Sequence, residues 1–251
     1  MTALRSEILK SKRTSSWYLT ILGSAVLPVI FMLDACADGL NTENLKDPLN
    51  AIINEGFKGI NLLILPMYII LICTLLPQIE YRNNTWKQVF TSPHTLAEIF
   101  LSKFLHVQLM IILFLILFNL SVAASATGIY FIKPSIGMFN HSMDWSKLIS
   151  FNVKTYLSIV AVSAIQFLIG LRFKSFIAPI AIGFVLWVIG GILVFEVRSS
   201  LANGFPFSYP TMIMFPTFIS LVPTLLWNSV GYALFFVLAG YVAFKNRKVK
   251  V

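Results

Sequence analysis

The side chains able to carry chemistry are few and scattered. His94, His106 and His141 stand apart without a second ligand at metal spacing, and Cys36 and Cys73 read as free thiols. There is no Walker A loop to cradle phosphates, no H-E-x-x-H for a metal-activated water, no G-x-S-x-G nucleophile elbow and no paired carboxylates within an apolar run. Nothing in the sequence calls for a cofactor. An intramembrane protease or lipid transferase, one alternative for such an apolar chain, needs ionisable groups facing one another within the bilayer, and no such pair is evident.

Amides and hydroxyls are the remaining polar groups in the apolar runs: Gln108, Asn119, Ser121, Ser125, Ser163 and Gln166. Interhelical hydrogen bonds ordinarily account for such residues. Asn119 and Gln166 are the candidates for contact with a substrate path. Asp34 and Glu196 fall near run ends, where water reaches them, so no buried proton relay is required.

The most informative stretch is Glu80-Tyr-Arg-Asn-Asn-Thr-Trp-Lys-Gln-Val-Phe-Thr-Ser-Pro-His. It reads as a short helix over Thr85, Trp86, Lys87, Gln88, Val89 and Phe90. Thr85 and Gln88 fit a capping box, and Trp86, Val89 and Phe90 share a face. Ser92 as cap and Pro93 at the first helical position then start a helix that runs into the next apolar segment. Such a helix either rests on a membrane surface or docks its apolar face into a partner's groove. Residues 3 to 16 form a second amphipathic piece, with Leu4 and Ile8 on one side and Trp17 and Tyr18 at headgroup depth; membrane anchoring is the simpler role.

The elements that position these residues follow from composition. Of 251 residues 57% are hydrophobic and 12% charged, against roughly 45 to 50% and about 25% in soluble domains. The chain is therefore an all-α polytopic membrane protein, because apolar runs of about 20 residues satisfy their backbone as helices and no ten-residue alternation suggests a barrel. The spans are predicted at about 17–37, 59–79, 104–127, 153–171, 176–195 and 227–244. The first run exceeds a signal-peptide core and further spans follow, so Leu33-Asp34-Ala35-Cys36 is not read as a cleavage site.

Charge supplies the topology. With the amino terminus in the cytosol, thirteen of nineteen basic residues fall inside (Arg5, Lys10, Lys12, Arg13, Arg82, Lys87, Lys103, Arg172, Lys174, Lys245, Arg247, Lys248, Lys250), whereas of the ten acids only Glu7, Glu80 and Glu98 do. The net charge of +9 is thus a topology signal; the bases track no groove, which argues against a nucleic-acid partner. The uncharged residues 199–226, with Pro206, Pro210, Pro216 and Pro223, are predicted as an outer re-entrant pair of short helices. A seventh span would put the basic tail outside, and its prolines would leave backbone groups unpaired in lipid. The whole chain reads as one domain.

This arrangement resembles the membrane subunit of a type 2 ATP-binding-cassette exporter: an interfacial helix, six spans, a coupling helix after the second and a re-entrant pair before the last. Glu7-Ile-Leu-Lys-Ser-Lys-Arg-Thr, and Glu80 to Pro93 with Trp86-Lys87, resemble the lantibiotic-immunity permeases. The resemblance implies a multi-pass protein of the bacterial inner membrane that pairs with a second permease subunit and with separate cytosolic ATPase subunits, ATP being hydrolysed on the latter. Thr85 to Phe90 would dock the ATPase, and the substrate would be a peptide, lipid or drug. A non-transporting membrane scaffold is the further alternative.

Overall fold

The computed structural model describes residues 2–12, 14–37, 47–91, 93–196 and 200–246. The regular elements among them are helical: α1 (Thr2–Ser11), α2 (Ser15–Cys36), α3 (Pro48–Gly59), a π-helical turn (Ile60–Ile64), α4 (Leu65–Arg82), α5 (Trp86–Phe90), α6 (Leu96–Ile132), α7 (Trp145–Arg172), α8 (Ile177–Phe195), α9 (Tyr209–Met212) and α10 (Val222–Lys245), with 3-10 turns between several of them. Six helical stretches are long and apolar enough to cross a bilayer. Their outward residues are largely aliphatic or aromatic, such as Leu22, Ile116, Val185 and Leu238. A soluble protein would place polar groups there; lipid accepts these.

Four of the six helical stretches outrun the predicted spans, α2 and α8 matching theirs within two residues. At about 1.5 Å per residue the 37 residues of α6 reach about 55 Å, well beyond a hydrocarbon core of about 30 Å. Its start is set by Thr95 and Glu98, which form a reciprocal capping box. Pro93 therefore precedes the helix rather than opening it, a correction to the expected start; Ser92 lies outside the described residues. The capping expected of Thr85 and Gln88 is likewise corrected. Thr85 contributes its backbone carbonyl to Val89 N–H, and Gln88 is exposed.

At the other end α3 begins at Asp47, whose carboxylate accepts from Asn50 N–H, with Pro48 opening the helix. The π-turn leaves carbonyls out of register, and the Leu62 carbonyl accepts from Trp187 Nε1 at 3.2 Å. Asn61 in the same turn donates to Thr155 Oγ1 at 2.9 Å, joining the second and fourth spans. α7 is central and packs along α10 and α4, while α2 lies along α6. Gly170 permits the α4–α7 approach, since a β-carbon there would lie 2.3 Å from the Cys73 carbonyl oxygen. Thr20, Tyr68 and the Met110 carbonyl link α2, α4 and α6 through the Tyr68 hydroxyl.

Residues 200–221 are a chain of 3-10 turns around the short α9. Residues 206–214 are buried and pack on α7, α8 and α10. Gly190 admits them, because a β-carbon there would meet the Phe207 carbonyl oxygen at 2.8 Å. Polar groups close on themselves: Ser208 Oγ donates to the Ala202 carbonyl and Tyr209 Oη to that of Asn203. α10 starts at Val222, five residues ahead of the predicted span, with Pro223 in its first turn where no N–H is needed.

Candidate coupling site

α1 ends at Ser11 instead of continuing to residue 16. The polar run beyond it takes local hydrogen bonds instead, Thr14 Oγ1 donating to the Ser11 carbonyl at 2.6 Å and pairing with Ser16 Oγ at 2.6 Å. Leu4 and Ile8 are half-buried, but among the described side chains of this helix Glu7 and Ser11 are the buried ones, one turn apart. They meet Lys103 and His106, also one turn apart, on α6. Lys103 Nζ donates to Glu7 Oε2 at 2.8 Å, and Ser11 Oγ lies 3.1 Å from His106 Nε2. α1 is thus keyed to the base of the third span by a polar face, a contact beyond the membrane anchoring expected from sequence.

The same ammonium donates to Glu80 at the end of α4. Lys10 joins both acids, 2.7 Å from Glu7 Oε1 and 3.4 Å from Glu80 Oε1. Lys103 is 4% exposed and Glu80 1%, so this central pair is removed from water, and the exposed Lys10 completes a balance of two against two. Burial pushes the Glu7 carboxyl up, but Lys103 and Lys10 outweigh it and hold the group below its usual range. Burial alone would lower Lys10; the Glu7 hydrogen bond and charge, then Glu80, hold it above the usual lysine range.

Trp86 completes the cluster. Its ring lies 5.6 Å from Lys103 Nζ, 5.2 Å from the Tyr81 ring and 6.2 Å from Phe244 of α10. Val89 is 7% exposed. The two described members of the expected apolar face therefore turn into the chain's own core, leaving Thr85 and Gln88 on the flank; the side chains of Lys87 and Phe90 lie outside the described residues. A cleft of about 550 Å³ opens between α1, α5 and the start of α6, lined by Glu7, Lys10, Thr85, Gln88 and Val89 among others.

Of the two amides singled out from sequence, Asn119 is half-buried and exchanges hydrogen bonds with Asn152, at 2.8 and 3.3 Å, clamping α6 to α7. Gln166 is fully buried and donates to the Pro179 carbonyl at 2.9 Å. Both serve interhelical contacts. The sequence reading missed the pairing of Glu7, Glu80 and Lys103, which it treated as markers of topology. The available signal was the presence of acids on the side where bases prevail.

A family model for ABC-2 family transporter proteins matches residues 3–190. The match takes in α1, the first four spans, the Trp86 segment and most of α8, and the chain belongs to that family of transporter membrane components. Comparison with curated proteins returned no match.

Proposed function

We propose that this chain is the membrane subunit of an exporter driven by a separate cytosolic ATPase, in the manner of the lantibiotic-immunity permeases. Both termini and the Trp86 segment face the cytosol, residues 200–221 re-enter from the outer side, and the chain forms a single permease domain that pairs with a second, identical or related copy. Residues 85–90 receive the ATPase. Closure of the ATPase moves α5, and the permease pair shifts between inward-facing and outward-facing states by differential stability. The substrate, an antimicrobial peptide, a lipid or a drug, passes along the subunit interface. Half-exposed Asn119 is better placed for contact with it than the sealed Gln166.

The observation that carries this reading is the unbroken line of contact from Trp86 through Lys103 to Glu7 and Glu80. It joins the short helix between the second and third spans to the ends of both and to α1. A surface anchor needs no such line, whereas a force-transmitting element does. Purified in mild detergent from its native membrane, the chain should carry a cassette ATPase, recognised by mass spectrometry through its nucleotide-binding peptides and by ATP hydrolysis in the preparation. A preparation without ATPase, from membranes that contain one, would refute the assignment.

A further inference from the structure

A second cleft, of about 360 Å³, lies where α7 and α10 end, beside the short turn that leads into α8. Its walls are Leu168, Leu171, Phe173, Ala243 and Phe244, and its polar member is Arg172. At the end of a helix an arginine usually serves the last carbonyls. Here that need is met by others. The Leu171 carbonyl accepts from Tyr81 Oη at 2.6 Å, that of Phe173 from Gln78 Nε2 at 3.2 Å, and those of Val242 and Phe244 from Asn246 N–H.

Arg172 is exposed and has no ion pair or hydrogen bond among the described residues. Lys174 and Lys245, at the same helix ends, are exposed as well, and the acid at the end of α4, Glu80, is engaged by Lys103. The corner therefore combines an apolar cleft, a guanidinium with its donors unspent and two further cations. An acyl chain matches the first and a phosphate the second, in the fork geometry that arginine offers.

We propose that this cleft binds one anionic glycerophospholipid from the adjoining leaflet, with an acyl chain between α7 and α10 and its phosphate on Arg172, Lys174 and Lys245 standing at the rim. Basic recesses between spans suit such headgroups. A zwitterionic choline lipid brings its own cation to a positive corner, and a free phosphate leaves the apolar walls unused. The proposal needs the bilayer setting of the spans but not the ATPase partner, so a failed search for an ATPase leaves it standing.

The purified chain, titrated with phosphatidylglycerol and phosphatidylcholine of equal chain length, is read by native mass spectrometry. One phosphatidylglycerol should stay bound under conditions that strip phosphatidylcholine. Arg172→Gln removes charge-assisted bonds and should weaken retention about tenfold. Ala243→Phe, which fills the cleft without changing charge, should do the same, while Lys12→Gln on α1 should leave it unchanged. Equal retention of the two lipids by the parent would overturn the proposal, as would parent-like binding in Arg172→Gln or Ala243→Phe. So would glycerophosphate, which lacks acyl chains, competing as well as the lipid.

Discussion

The Lys103 ammonium lies 5.6 Å from the centre of the Trp86 ring while donating to Glu7 at 2.8 Å and also to Glu80. One cation thereby ties the segment between the second and third spans to α1 and to the bases of both spans. A displacement of Trp86 changes the setting of a charge that three other elements depend on.

Trp86→Ala should therefore act mainly on transmission. Loss of the ring removes packing on Tyr81 and Phe244 and a cation–π contact of about 0.5 to 2 kcal/mol. In the purified complex, ATPase retention should fall less than substrate-stimulated hydrolysis, with Trp86→Phe intermediate. If hydrolysis stays coupled in Trp86→Ala, the ring does not transmit force.

Lys103→Met should be the more damaging change, because it removes the buried cation between Glu7 and Glu80 and leaves them only the exposed Lys10. Breaking a buried pair from one side costs about 3 to 5 kcal/mol. Adding Glu7→Gln should restore part of the lost melting temperature, and a double-mutant cycle gives the coupling. Additive losses would mean that the pair does not interact in the folded protein.

The docking of α1 should depend on pH in a defined direction. Glu7 is held below its ordinary value of 4.5, so its contribution is fully present above that value and is lost as pH falls through the lower, folded one. A spin label at the exposed Leu9 should keep its mobility near neutral pH and gain mobility only as pH falls below the ordinary carboxyl value of 4.5. Glu7→Gln should give a mobile label at every pH. A transition near neutrality would point to another group.

Topology is open to direct test in a background lacking the native cysteines. Cysteines at Lys174 and Lys245 should resist an impermeant thiol reagent in intact cells. Those at Leu201 and Ile219, which are 70% and 72% exposed, should both react. Opposite results at the last two would mean that residues between them cross the membrane.

The six spans were legible in the sequence because hydrophobicity and helix length are local properties, and any run of about 20 apolar residues must close its own backbone bonds in lipid. Trp86 stood out for the same local reason, by type and position in a short amphipathic turn. The direction in which it points did not. Its partner Lys103 is 17 residues further along, Glu7 lies 96 residues from Lys103 and Glu80 lies 23 from it, so no helical or strand period connects them. Only packing of α1, α4 and α6 brings those charges within hydrogen-bond reach, and once water is excluded each must find an opposite charge or remain uncompensated. The same packing gave α1 a polar contact with the third span and gave Asn119 and Gln166 partners on neighbouring helices. A sequence displays which groups are costly to bury; the tertiary structure decides which of them are buried together.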